Sequence, residues 1–217
     1  MKTAIVIGAT GLVGRALVDL LLADDRFERV RVFARRSVGV AGAKLEEHLV
    51  DFDRLDDFAD SIRGDVLFSA LGTTRRQAGS KAAQYRVDHD YQLAFARRAA
   101  ANGVRTYVLV SSAGASAKAL SFYMRMKGAL ERDVAALPFR HIHILRPGFL
   151  TGHRNPPRPG ESIGLALMNA FGAIPPLRPY RPITDRTVGK AMIAASFDES
   201  ARLKIREPGA LFALGGA

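Results

Sequence analysis

Apolar residues fall along this chain in two alternating rhythms. Short, nearly continuous runs rich in valine, isoleucine and leucine are each followed by a stretch in which apolar residues return at helical spacing. TAIVIG (3–8) is the first run, and Leu12, Leu17, Leu20 and Leu21 follow it on a helical repeat. RVRVFA (29–34), HLV (48–50), DVLFSALG (65–72), TYVLVSS (106–112) and RHIHILRPG (140–148) predict further strands. Residues 86–102 and 119–136 are the clearest helices between them. A strand apolar at nearly every position is covered on both faces. One such run is ambiguous, but regular alternation with helices predicts an α/β fold, a doubly wound parallel sheet with helices on both faces.

After Pro147 the texture changes. GHRNPPRPGE (152–161) and PPLRPYRP (175–182) are rich in proline and arginine and predict loops, with a short apolar helix at IGLALMNAFG (163–172) between them. Thr184 or Asp185 caps a helix running to about Phe197, and the tail from Arg202 carries no clear pattern. The expectation is one domain over residues 1–217. Residues 1–148 form its dinucleotide-binding core, and residues 149–217 form a small appendage on the substrate side.

Composition narrows the classes. With 217 residues and 48% apolar content, the chain can build a core without staples. It has no cysteine, so disulfides and thiolate metal sites are excluded. His141 and His143 alternate along one strand without further ligands, and no metal site is expected. The N-terminal apolar run breaks into glycines rather than a cleavage site, and no later run is long enough to span a bilayer. These features lead to the expectation of a cytoplasmic protein without membrane contact. The net charge of +11 raises the possibility of a nucleic-acid surface, but no basic cluster is interleaved with aromatic residues. Dispersed cations, with a few gathered around an anionic small molecule, fit better.

The chemistry begins at IGATGLVG, where Gly8, Gly11 and Gly14 recur at three-residue intervals between a strand and a helix. Glycines at this junction permit a tight turn, close approach of a pyrophosphate, and close packing of helix on sheet. The helix start offers free amides to the phosphates, which makes Gly8, Ala9, Thr10, Gly11, Leu12, Val13 and Gly14 cofactor-binding candidates. Where a carboxylate after the second strand would select NAD, this chain has Arg35 and Arg36. Guanidinium groups there suit the 2′-phosphate of NADP(H), so NAD(H) is the less expected cofactor. Asp51 either meets the adenine or caps a helix. Leu71, Gly72 and Thr73, after the fourth predicted strand, lie beside the expected cofactor groove.

Further along, Ser111 and Ser112 end the fifth strand, and Tyr123 and Lys127 follow four residues apart. That spacing puts phenol and amine on one helix face, at the carboxyl edge where open parallel sheets bind ligands. A free phenol titrates near pH 10. A nearby ammonium favours its ionised form, so Tyr123 can act as acid and base, Lys127 can steady the ribose, and Ser112 or Ser111 can donate to an oxyanion. The competing reading makes Tyr123 an amphipathic core residue and Lys127 a snorkelling surface lysine.

Together these segments resemble a short-chain dehydrogenase/reductase of the extended or atypical kind. ALGTTRRQAG (70–79), YRVDHDYQL (85–93), SSAGA (111–115), YMRMKGALE (123–131) and RPGFLTGHRNPPRPGE (146–161) are similar to the oxidoreductase-like Tat-interactive protein family and its bacterial relatives. The resemblance implies a Rossmann-like fold and NADP(H) binding. Many relatives keep an asparagine where this chain has Asp88 and Asp90, and many pair through helices like 86–102 and 119–136, which makes a homodimer an expectation. Thr74, Arg75, His153, Arg154 and Arg158 are candidate contacts for a small, anionic substrate. The leading expectation is an NADP-dependent oxidoreductase acting on a small carbonyl or alcohol. The alternatives are a non-catalytic NADP(H)-binding sensor and an epimerase or dehydratase using bound NAD(P).

Overall fold

In the first strand, β1 (Lys2–Ile7), the four residues Ala4 to Ile7 are fully buried, alternately toward the two faces of a sheet. This is what a continuous apolar run dictates at the centre of a parallel sheet. The computed structural model of the chain describes residues 1–152 and 181–216, and everything below concerns those residues. Beside β1 lie β2 (Phe27–Ala34), β3 (Leu45–Leu49), β4 (Val66–Ser69), β5 (Thr106–Val110) and β6 (His141–Leu145). They pair in the order β3-β2-β1-β4-β5-β6, all parallel. The direction of winding reverses between β1 and β4, and such a reversal opens a crevice at the carboxyl edge.

Helices cover both faces. α1 (Leu12–Leu22) buries Val13, Leu17 and Leu21 on one side. On the other lie α4 (Tyr91–Ala101), through Phe95, Ala96 and Ala99, and α5 (Phe122–Ala135), through Leu130 and Val134. Two short helices, α2 (Arg75–Ala78) and α3 (Lys81–Tyr85), precede α4, and a π-helical turn at Arg86–Asp90 joins α3 to α4. The helix expected over 86–102 therefore begins at Lys81, where the Ser80 hydroxyl accepts the Ala83 amide at 3.0 Å. The helix expected over 119–136 begins only at Phe122, because Ser121 is extended.

The C-terminal third contributes to the same sheet. A two-stranded parallel ribbon joins β7 (Leu150–Thr151) to β8 (Ile183–Thr184). Thr184 then caps α6 (Asp185–Ala195), its hydroxyl accepting the Thr187 amide at 3.0 Å. β9 (Leu203–Arg206) extends the main sheet beyond β6, and α7 (Pro208–Gly215) packs Leu211 and Phe212 into the α1 face. The segments at 163–172 and 175–180, and the loop from 153, lie outside the described residues.

β9 escapes the sequence pattern because its polarity is inverted. Leu203 and Ile205 are 39% and 45% exposed, whereas Arg206 is buried. Arg206 Nη2 pairs with Asp198 at 2.5 Å, and its Nη1 donates to Nδ1 of His143 at 2.8 Å. Desolvation and then the adjacent guanidinium push His143 down to about 4 from the ordinary 6.5. The unfolded imidazole takes a proton that the folded one refuses. Stability from this residue is thus complete above about pH 6.5 and is lost as pH falls toward about 4. The urea midpoint should therefore drop further between pH 7.5 and 4.5 in the wild type than in His143→Gln; equal drops would contradict the assignment.

Candidate active site

Gly8 follows β1 with φ +81°, and a Cβ there would stand 2.3 Å from the Ala70 carbonyl carbon and Leu71 nitrogen. The turn is therefore pressed against the end of β4, a position only glycine fills. A Cβ on Gly14 would stand 2.1 Å from the Gly8 oxygen, so the first turn of α1 lies directly on the loop. Gly11 donates its amide to Gly8 O at 2.9 Å and occupies the N-cap without a capping side chain. The amides of Leu12, Val13 and Gly14 thus start the helix without intrahelical acceptors, and no acidic residue occupies that first turn. Ala9 is buried beneath the turn, and Thr10 is half-buried.

Arg35 and Arg36 stand exposed just beyond β2, and neither is ion-paired among the described residues. Asp51 caps a 3-10 segment, Phe52–Ser61, by accepting the Asp53 amide at 3.0 Å. An open helix start, a cradle with no room for side chains, and two unpaired guanidiniums fit a phosphorylated dinucleotide.

The second half of the site is built around Lys127. It is 4% exposed, so the snorkelling alternative is not adopted. Its Nζ meets Asp88 Oδ1 at 3.2 Å and stands 5.9 Å from the ring centroid of Tyr123. Tyr123 lies in the first turn of α5 and is 37% exposed, open to a ligand. The other oxygen of Asp88 accepts the Thr73 amide at 2.8 Å. Burial pushes the Asp88 carboxyl above the usual carboxylate range, and the Lys127 charge and the Thr73 amide pull it back in part. One carboxylate therefore joins the loop after β4 to the helix carrying Tyr123 and Lys127.

The π turn explains how Asp88 comes to face that way. Gln92 Nε2 donates to the Asp88 carbonyl at 2.6 Å, and Gln92 Oε1 accepts from the Ser69 hydroxyl at 2.6 Å. Both side chains are fully buried, which anchors the widened turn to the last residue of β4. The sequence marks Asp88 and Asp90 only as departures from relatives' asparagine; an acidic residue four before a core glutamine was the available signal for this network.

Of the serines, Ser111 is buried with a hydroxyl lacking a partner, and Ser112 is half-buried, its hydroxyl 3.4 Å from Ala113 O. Gly72 abuts Asp88, and Leu71 packs against the core of the α4–α5 face. Thr74 caps α2, accepting the Gln77 amide at 3.2 Å, while Arg75 points into solvent. His153, Arg154 and Arg158 lie outside the described residues.

Comparison with known proteins shows a family that binds NAD(P)H. A sequence family described as NAD(P)H-binding matches residues 8–164. Protein FMP52, mitochondrial, of Eremothecium gossypii is 35% identical over 218 residues, covering 97% of this chain and 96% of that one. Protein HTATIP2 of Rattus norvegicus is 36% identical over 178 residues, 80% of this chain and 72% of that one. The solved structure of MoeE5 in complex with UDP-glucose and NAD superposes with a TM-score of 0.71 at 18% identity, covering 99% of this chain and 81% of that one; the likeness is one of fold.

These relatives correct one expectation. The Eremothecium gossypii protein and its counterparts in Candida glabrata and Saccharomyces cerevisiae are named mitochondrial, against the cytoplasmic location inferred from sequence. That inference rested on the absence of cysteine and on reading the first apolar run as a strand, and neither separates one compartment lacking disulfides from another.

Gly128 supplies a test of the site's packing. A Cβ there would lie 2.1 Å from the Ser116 carbonyl carbon, where the loop from β5 crosses α5. Gly128→Ala gains about 1 kcal/mol in helix propensity but overpacks rigid backbone, at a cost of about 1–3 kcal/mol. Urea unfolding should show a net loss of stability; a net gain would refute the crossing.

Proposed function

Because the chain belongs to the NAD(P)H-binding family, we propose that it is an NADP-dependent oxidoreductase of the short-chain dehydrogenase/reductase type, acting on a small carbonyl or alcohol. The observation that supports this reading is the Tyr123–Lys127 pair early in α5, with Lys127 joined through Asp88 to Thr73 on the loop after β4, the loop against which Gly8 is pressed. Bound NADP(H) supplies or accepts the hydride. Tyr123, exposed at the start of α5, exchanges the proton at the substrate oxygen. The Lys127 ammonium stabilises negative charge on the phenol oxygen and holds the ribose in place. Ser112, reachable from solvent, donates to the developing oxyanion, with Ser111 behind it.

Selection between cofactors falls to Arg35 and Arg36, whose forks match a 2′-phosphate. On the substrate side, Thr74 and the exposed Arg75, with the adjacent Arg76, favour an anionic molecule. Each assignment makes a separate demand on experiment.

In Tyr123→Phe, NADPH affinity should stay within about twofold while turnover on a panel of small carbonyls falls about 10²–10⁴-fold. A wild-type chain that binds NADPH but turns over no member of the panel would replace the enzyme reading with the sensor. For the cofactor, wild type should bind NADPH at least about tenfold more tightly than NADH, a difference near 1.4 kcal/mol. The double variant Arg35→Ala, Arg36→Ala should lose that preference; equal wild-type affinities would refute the arginine argument.

A further inference from the structure

Resting on that reading, we propose that Asp88 is a positioning residue, which seats the Lys127 ammonium and locks the loop after β4 to it, so that cofactor binding depends on the charge of Asp88. Asp88 and Lys127 expose 1% and 5% of their side chains. A buried ion pair is weak evidence for stability, because apolar replacements of similar volume commonly do as well or better. Its presence beside Tyr123 therefore points to positioning.

The geometry supports this at both ends of the residue. Each carboxylate oxygen has its own partner, Lys127 Nζ at 3.2 Å and the Thr73 amide at 2.8 Å. The carbonyl of the same residue is held by Gln92, which Ser69 holds in turn. Asp88 is thus fixed to the β4 end of the sheet, and Lys127 is fixed to Asp88. π turns inside helices occur frequently at functional sites, and here the turn aims the carboxylate away from its own helix.

Among the described residues, neighbouring charges on the π turn and on α5 have partners of their own. On the same turn, His89 lies between Asp90 and Asp133 at 2.8 and 3.0 Å. Along α5, Glu131 is bound to Arg146, which extends from the end of β6 to Glu207 as well. Tyr123 faces Lys127 through its ring. Burial raises the Asp88 carboxyl above its ordinary range, so mild acidification reaches it earlier than an exposed aspartate. Protonation removes the ion pair and leaves Lys127 without its counter-ion.

The test measures NADPH affinity by nicotinamide fluorescence for wild type, Asp88→Asn, Lys127→Gln and the double variant, between pH 5 and 8. At pH 7.5 Asp88→Asn should weaken binding about tenfold, and adding it to Lys127→Gln should change affinity by less than about twofold, because both act through one contact. The wild type should also lose affinity on the acid side with an inflection absent from Asp88→Asn; titration of the 2′-phosphate is common to both. Full additivity of the two substitutions, or identical acid profiles, would overturn the proposal. Should Asp88→Asn fail to fold, the wild type alone decides. The Thr73 amide proton shift must then titrate with the same midpoint as NADPH affinity, and different midpoints overturn the assignment. A wild-type chain that binds no NADPH refutes the functional reading itself, and the role of Asp88 falls with it.

Discussion

A positive and a negative charge buried against each other, Lys127 and Asp88, hold the candidate site together. Three segments distant in sequence meet there: the loop after β4, the π turn before α4, and α5. Removing either charge from water costs several kcal/mol, and mutual attraction offsets this only when the remaining polar atoms are also satisfied. That condition shapes the neighbourhood. Thr73 occupies the second carboxylate oxygen, Gln92 the freed carbonyl, and Ser69 the glutamine oxygen. Across the sheet a different constraint operates, the steric one at Gly8 and Gly14, where backbone meets backbone with no room for a side chain. The first arrangement fixes Lys127 and the loop after β4; the second fixes the open start of α1.

Both arrangements lie at the carboxyl edge of one parallel sheet, where the strand order reverses between β1 and β4, and reversals of this kind are where open parallel sheets bind ligands. Chain polarity accounts for the convergence. Every strand enters the edge in the same direction, so the residues following β1, β2, β4 and β5 are delivered to one rim. Glycine turn, arginine pair, Thr73 loop and serines are therefore neighbours by topology, whatever their separation in sequence. Other buried charges have structural tasks. Arg146 links α5 to the start of α7 through Glu131 and Glu207, and Arg206 closes the outer edge of the sheet over His143.

How much of this is written in the sequence depends on the kind of signal. Central strands are legible because burial on both faces demands unbroken apolar runs, and the glycine turn because steric exclusion permits one residue type. β9 is not legible, since its buried positions are cationic and its apolar ones half-exposed, the reverse of the usual pattern. The late start of α5 depends on the backbone of Ser121, which no periodicity encodes. Tyr123 and Lys127 are visible as a spacing, but the partner of Lys127 lies on another helix, and only the folded chain reveals it. Cellular location was misjudged because it was argued from what the chain lacks.

The account stands on a single spatial claim, that NADP(H) lies between the glycine turn and the Tyr123–Lys127 pair. A crystal structure of the chain grown with NADPH measures this directly. The account predicts the pyrophosphate on the first amides of α1, the 2′-phosphate against Arg35 and Arg36, and the nicotinamide ribose on Lys127. A dinucleotide bound elsewhere, or a Tyr123 hydroxyl turned away from the nicotinamide ring, would contradict it.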